Sequence, residues 1–187
     1  MSTEPGSALL QIARNAIARQ LGLPCGQDPQ IDELERPGAT FVTLTRHGEL
    51  RGCIGTLEAH RPLGEDVREN AVAAAFRDPR FAPLRAEEFD AVRVEVSLLT
   101  EPEFMQFAGE DDALAQLRPG QDGVILFYNC QRATFLPQVW ESLPQPRQFM
   151  AQLKRKAGLP ADFWHPNVML ARYQVTKWKE AEKAAAG

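Results

Sequence analysis

Cys53 is the residue of this chain whose type and surroundings best suit covalent chemistry. It lies in residues 50–56, which read Leu-Arg-Gly-Cys-Ile-Gly-Thr and are called the LRGCIGT segment below. A cysteine attacks electrophiles as its thiolate, and a nearby arginine and exposed backbone amides favour that form. Arg51 can also hold a carboxylate or phosphate group through two parallel hydrogen bonds. Gly52 and Gly55 indicate a bulge, or a close approach by a ligand or another backbone.

These residues define a candidate site. We predict Cys53 as a catalytic residue and Arg51, Gly52 and Gly55 as substrate-binding residues. The alternative is structural: Cys53 is then a small buried hydrophobic residue, the glycines fit a tightly packed sheet, and Arg51 braces an acidic neighbour.

Glu95 is the second candidate catalytic residue. It lies in a strongly alternating segment, residues 91–99, and projects opposite to the face formed by Val92, Val94, Val96 and Leu98. We predict a partly buried carboxylate that pairs with Arg51, or a general base whose proton affinity is set by burial and by that arginine. The alternative is a solvent-facing residue on an antiparallel sheet.

Asp78 and Arg80 follow a predicted helix end in the sequence Asp-Pro-Arg-Phe. Their charges can turn towards a cleft and bind substrate, or they can form a capped turn anchored by Phe81.

The three histidines and three cysteines lack metal-ligand spacing, so we predict no metal site. The sequence identifies no cofactor.

Hydrophobic periodicity and turn residues predict the elements that position these side chains. A hairpin with its turn at 46–49 carries the LRGCIGT segment on its second strand. The other expected elements are helices near 7–22, 62–76, 111–117 and 146–157, strands at 92–99 and 168–175, and a second hairpin over 124–135. Helices and hairpins alternate without a βαβ rhythm, which favours an α+β fold with a mostly antiparallel sheet and flanking helices.

The composition is that of an ordinary globular protein. The 187 residues are 44% hydrophobic and 25% charged, with a formal net charge of −4. This length fits one domain, 1–187 with a core at about 7–180, or alternatively two intertwined lobes. The negative charge disfavours nucleic-acid binding. No segment approaches the roughly 20 apolar residues of a membrane-spanning helix, so we predict a cytoplasmic protein with no membrane association.

The chain also resembles the AMMECR-domain family, whose prokaryotic members are called AmmeMemoRadiSam system protein A. The resemblance covers nearly the whole chain. It rests on the LRGCIGT segment together with Phe41-Val42-Thr43-Leu44, Pro62-Leu63, Ala74-Ala75, Asp78-Pro79-Arg80-Phe81, Glu95-Val96-Ser97, Leu99-Thr100, Phe135-Leu136-Pro137-Gln138-Val139 and Lys156-Ala157-Gly158-Leu159. It implies an α+β fold of two unequal lobes that share a cleft near the LRGCIGT segment. Asp122 departs from the pattern, because a basic residue or histidine is expected before Gly123.

The family has no agreed activity, and the resemblance implies a setting rather than a reaction. Its members resemble one component of a set that includes a Memo-like protein, similar to non-haem iron dioxygenases, and a radical S-adenosylmethionine (SAM) protein. These two are the partners that the resemblance implies.

Three functions remain open at this point. The first is an enzyme or enzyme component that uses Cys53, Arg51 and Glu95, and the second is a non-catalytic adaptor or ligand-binding module. The third is an RNA-binding regulator, suggested only by the Gly-x-x-Gly spacing of Gly52 and Gly55 and by basic residues such as Arg51 and those at 154–156.

Overall fold

Antiparallel sheets packed against helices make up the chain. The computed structural model describes residues 4–181. The chain forms two units of unequal length, one of Met1–Leu99 with Thr176–Gly187 and one of Thr100–Val175. The predicted α+β class, with antiparallel pairing and flanking helices, is confirmed. The shared cleft remains a prediction.

The helices and strands follow the sequence signals closely. The α-helices are α1 (Pro5–Leu21), α2 (Leu63–Phe76), α3 (Glu110–Gln116) and α4 (Pro146–Lys156), with short 3-10 segments at Asp32–Glu35, Ala86–Ala91 and Pro137–Glu141. The strands are β1 (Ala39–Arg46), β2 (Glu49–Gly55), β3 (Val92–Leu99), β4 (Glu103–Phe104), β5 (Gly123–Tyr128), β6 (Gln131–Phe135), β7 (Met169–Tyr173) and β8 (Val175–Lys179). Within residues 4–181, no helix is long and apolar enough to cross a membrane.

The first unit contains a sheet in the order β2-β1-β3-β8, which makes β2 an edge strand. His47 and Gly48 join β1 to β2 in a two-residue turn with φ of 52° and 77°. Positive φ at both positions is the geometry that matches the twist of a tight hairpin. The core of this unit lies between the sheet and helices α1 and α2, and includes Leu9, Ile12, Val42, Leu44, Val67, Ala71, Ala74, Val94 and Val96.

The second unit contains a sheet in the order β4-β7-β5-β6. Its own core is formed with α4, and includes Val124, Leu126, Phe149, Leu153 and Leu170. The rings of Trp140 and Phe149 stack at a centroid distance of 3.8 Å within it. Each unit therefore buries a separate apolar core.

The predicted final strand at 168–175 is wrong in its extent, because two strands occupy this region. β7 belongs to the second sheet and β8 to the first. Gln174 lies between them, where its backbone N–H donates to the Thr100 hydroxyl at 2.8 Å. After β8, the Glu180 carboxylate accepts hydrogen bonds from Arg14 and, at 2.9 Å, from the Val94 backbone N–H. The apolar pattern continues through this break, which explains why it resembled one strand.

Close packing of β2 on α2 explains the first glycine of the LRGCIGT segment. A Cβ atom at Gly52 would lie 2.1 Å from the carbonyl oxygen of Ala74. No side chain fits that gap, so the strand approaches the helix backbone as closely as it does only because residue 52 is glycine.

We therefore expect Gly52→Ala to lower the free energy of unfolding by about 2–3 kcal/mol, since β2 and α2 must separate to accept the methyl group. Urea denaturation measures this change. Gly26→Ala is the matched control, because its Cβ would meet only the Gln11 amide at 3.9 Å, and it should change stability by less than about 0.5 kcal/mol. Equal effects of the two substitutions would contradict the packing explanation.

Candidate functional site

The Cys53 side chain lies beside a hydroxyl group on the neighbouring strand. Cys53 of β2 is paired with Thr43 of β1, and the Cys53 Sγ is 3.3 Å from the Thr43 Oγ1. The backbone groups of Cys53 have partners on the other side, away from β1. This is the geometry of a non-hydrogen-bonded antiparallel pair, in which facing side chains come closest. The thiol is half-buried.

Asp78 and Arg80 cap the outer edge of β2 at Cys53. The Asp78 Oδ2 accepts a hydrogen bond from the Cys53 backbone N–H at 3.0 Å, and the Arg80 Nη2 donates to the Cys53 carbonyl at 3.4 Å. Arg80 also donates to Asp78 from Nε and Nη2, at 3.0 and 2.8 Å. These bonds, with that from the Cys53 N–H, hold the pKa of the Asp78 carboxyl well below its ordinary range. Asp78 and Arg80, two of the five residues predicted to bind substrate, thus contact Cys53 through its backbone.

A β-bulge separates the Arg51 side chain from that of Cys53. Leu44 of β1 is paired with Gly52 and Thr45 with Leu50, so Arg51 is the extra residue on β2. Its guanidinium donates to the Glu88 carboxylate at 3.1 and 3.2 Å and to the Ala82 carbonyl at 2.8 Å. The expected pairing of Arg51 with Glu95 is therefore wrong, because simple strand alternation does not survive the bulge.

Glu88 is the carboxylate that the sequence reasoning missed. Besides Arg51, it accepts hydrogen bonds from the Arg46 guanidinium at 2.9 Å and from the Arg85 backbone N–H at 3.0 Å. Arg51 has the largest part in lowering the pKa of Glu88 to about 2. The bond back to Arg85, three residues earlier, is the reciprocal cap of a helical turn. That three-residue spacing of Arg85 and Glu88 is a signal that the sequence did carry.

Glu95 faces Thr43 across β1 and β3. Its carboxylate forms ion pairs with Lys177 at 3.8 Å and Lys179 at 3.2 Å, and its side chain is 15% exposed. It is therefore neither paired with Arg51 nor freely solvated. Cys53, Thr43 and Glu95 form a row across three adjacent strands, called the thiol row below.

Asp66 holds the end of the LRGCIGT segment. This fully buried carboxylate accepts hydrogen bonds from the Thr56 hydroxyl at 2.7 Å, the Thr40 hydroxyl at 2.7 Å and the Arg61 Nε at 2.8 Å. Asn70 donates to the Thr56 hydroxyl at 2.9 Å. The sequence placed Asp66 in the first turn of a helix and did not indicate that its side chain is buried.

The second glycine of the segment also has a packing role. A Cβ atom at Gly55 would lie 2.2 Å from the ring of Phe41, its partner on β1. The Phe41 ring therefore occupies the space that a side chain at residue 55 would need. Both glycines agree with the structural alternative, and their role in substrate binding remains a prediction.

No three His, Cys, Asp or Glu side chains within residues 4–181 form a group that could hold a metal ion.

The structure also bears on the RNA hypothesis. Gly52 and Gly55 lie in a strand rather than a loop, and Lys154 is only 2% exposed, with its Nζ 2.6 Å from Glu110. Asp122 is fully buried and accepts hydrogen bonds from Arg118 and Gln174. Lys154 is therefore unavailable for phosphate contacts, whereas Arg155 and Lys156 are exposed.

Because Arg51 holds Glu88 ionised, the stability that this carboxylate adds is present above its ordinary pKa of 4.5 and is lost as the pH falls towards about 2. We expect Glu88→Gln to lower the free energy of unfolding at pH 7 by about 2 kcal/mol, and to cost progressively less between pH 4.5 and 2. Denaturation at several pH values measures the difference. Glu87→Gln, at the exposed neighbouring residue, should have little effect, and a pH-independent cost of Glu88→Gln would contradict the ion pair.

Comparison with known proteins identifies the family. A model of the AMMECR1 family matches residues 10–178. A protein of Methanothermobacter thermautotrophicus is 37% identical, covering 96% of both chains, and protein MJ0810 of Methanocaldococcus jannaschii is 40% identical, covering 97% of this chain and 93% of its own. The crystal structure of uncharacterized protein PH0010 from Pyrococcus horikoshii is similar with a TM-score of 0.81 at 34% identity, covering 94% of this chain and 91% of that one. The chain belongs to the AMMECR1 family, as its sequence predicted.

Proposed function

We propose that this chain is a cytoplasmic enzyme or enzyme component in which the Cys53 thiol is the reacting group. The observation that carries this proposal is the 3.3 Å contact between the Cys53 Sγ and the Thr43 hydroxyl, on a strand whose backbone is held at the same residue by Asp78 and Arg80. A thiol that is held in one position by its backbone, with a hydroxyl within hydrogen-bond distance, supports the nucleophile role.

The chemistry follows from the thiol row. The Thr43 hydroxyl lies within hydrogen-bond distance of the sulfur, and it is the group that would donate a hydrogen bond to a thiolate at this position. Glu95 lies across Thr43 in the same row and is the carboxylate that we assign to proton transfer. Its lysine partners keep it beside the row rather than in solvent. Arg80, which is paired with Asp78, donates to the Cys53 carbonyl and so helps to fix the backbone at the reacting residue.

The partners in this proposal are a Memo-like protein and a radical SAM protein. The family resemblance supports them, because it implies a set of three proteins acting in one modification or redox pathway. In that setting the Cys53 site receives a small or protein-bound substrate from a partner.

Alkylation of Cys53 tests the proposal. The protein carries Cys25→Ser and Cys130→Ser, since both of these thiols are exposed, and iodoacetamide labelling is followed by mass spectrometry at several pH values. We expect Cys53 to react faster than glutathione at pH 7, and Thr43→Val to slow it about tenfold by removing one hydrogen bond to a charged group.

Thr45→Val is the matched control for that substitution. Thr45 lies two residues further along β1, opposite Leu50 rather than Cys53, and its loss should leave the rate nearly unchanged. A Cys53 that stays unlabelled, or that reacts like glutathione regardless of Thr43, would exclude the nucleophile role.

A second candidate function, a non-catalytic adaptor, is favoured by one specific observation. Arg51, Asp78 and Arg80 are all engaged in ion pairs within the chain, and Gly52 and Gly55 are both required by packing. A segment built this way forms a rigid surface even without chemistry at sulfur.

Cys53→Ser distinguishes the two functions, because serine keeps a hydroxyl of similar size in place of the thiol. Two quantities are measured for the variant. The first is its capture of purified Memo-like and radical SAM proteins from the same organism, and the second is formation of the pathway product when all three proteins are combined. Unchanged capture together with loss of the pathway product supports the enzyme, whereas unchanged capture together with unchanged product formation supports the adaptor.

A further inference from the structure

Two open cavities adjoin each other on the first unit. The larger, of about 770 Å³, is lined by Arg19, Gln27, Asp28, Gln30 and Arg68. The smaller, of about 280 Å³, continues from Asp28, Gln30 and Arg68 and is also lined by Leu34, Glu35, Pro62 and Glu65. Because three residues border both cavities, the two form one groove, called the Arg68 groove below. None of the residues that line it belongs to the LRGCIGT segment.

Asp28 holds two arginines at the larger cavity. Its carboxylate accepts hydrogen bonds from the Arg19 guanidinium at 2.9 and 3.0 Å, from the Arg68 Nη2 at 3.2 Å and from the Asn15 amide at 2.9 Å. The Asp28 side chain is 17% exposed, whereas both arginine side chains are 43% exposed. One carboxylate between two guanidinium groups leaves one positive charge unbalanced. This end of the groove therefore favours an anionic group, which guanidinium binds through charge-assisted hydrogen bonds.

The smaller cavity has the opposite balance of charge. Glu35 lies in the 3-10 segment before β1, Glu65 lies in the first turn of α2, and both are exposed. With Asp28 they place three carboxylates against the single guanidinium of Arg68 at this end. The smaller cavity therefore favours a cationic group, and the groove is positive at one end and negative at the other.

The spacing of these charges suits a small ligand. Glu65 and Arg68 are three residues apart on α2, which places their Cβ atoms about 5–6 Å apart. Pro62 and the buried Leu34 also line the smaller cavity, and they offer an apolar surface to methylene groups. The volumes of the two cavities together are in the range that small molecules occupy in proteins.

We propose that the Arg68 groove binds a small zwitterionic ligand. Its anionic group, a carboxylate or phosphate, binds Arg19 and Arg68, and its protonated amino group binds Glu35 and Glu65. Amino acids belong to this class of molecule. The site is separate from Cys53, and the inference does not depend on the function proposed for that residue.

Three compounds of nearly the same size test the proposal. 4-Aminobutyrate carries both charges, butyrate only the carboxylate and butylammonium only the amino group. Each is titrated into the full chain at pH 7 and constant ionic strength, and binding is followed by NMR at the side-chain amides of Gln27 and Gln30 and the backbone amide of Gly64, which line the groove. We expect 4-aminobutyrate to bind about fivefold more tightly than either of the others, because it forms an ion pair at each end.

Substitutions at the two ends should have opposite effects. Arg68→Gln should remove the advantage of 4-aminobutyrate over butylammonium, because Arg19 and Asp28 then balance each other. Glu35→Gln combined with Glu65→Gln should remove its advantage over butyrate. Arg68→Lys keeps the charge and should retain the advantage over butylammonium. Asp28 stays bound to Arg19 in these variants, and an unchanged NMR spectrum away from the groove verifies that the fold is kept.

Matched controls remove the same charges from side chains that do not line the groove. Arg77→Gln is the control for Arg68→Gln, and Glu33→Gln combined with Glu69→Gln is the control for the double glutamate variant; all three residues are exposed. Both controls should leave the preference for 4-aminobutyrate intact. Equal affinities for the three compounds, no shift at the groove amides, or an equal loss of preference in the controls would overturn the proposal.

Discussion

The first sheet ends at β2, and the backbone groups on the outer edge of a sheet must find partners other than a neighbouring strand. Side chains from the segments that follow β2 provide them. Asp78 and Arg80 bind the backbone N–H and carbonyl of Cys53. Side chains of the same segment are held as well, since Glu88 accepts from the Arg51 guanidinium and Asp66 from the Thr56 hydroxyl. Three carboxylates thus fix the beginning, middle and end of one short segment, and the position of the thiol depends on all three.

Three residues of the LRGCIGT segment have a clear role within the fold. Gly52 allows contact with α2, Gly55 lies under the Phe41 ring, and Arg51 neutralises a buried carboxylate. Each of these explains a residue type without reference to any ligand. The Cys53 thiol, by contrast, is half-buried and lies 3.3 Å from the Thr43 hydroxyl, and the proposed function assigns the reaction to it.

Periodicity and turn residues predicted both hairpins, the main helices and the α+β class, because those signals are local. The pairing of Arg51 with Glu95 could not be predicted correctly, since it assumed unbroken alternation and a single extra residue in β2 changed the partner. Burial of Asp66 and Glu88 depends on segments far apart in sequence, which local patterns do not reveal.

The position of β8 in the sequence determines the order in which the two units can be completed. This strand and Glu180 lie beyond the whole second unit, yet they supply the last strand of the first sheet and the carboxylate that binds Arg14. During synthesis, β3 therefore has an unpaired edge until residues 100–175 have left the ribosome. The second unit can finish folding while the first still has three strands. The unit that carries Cys53 begins first and is completed last.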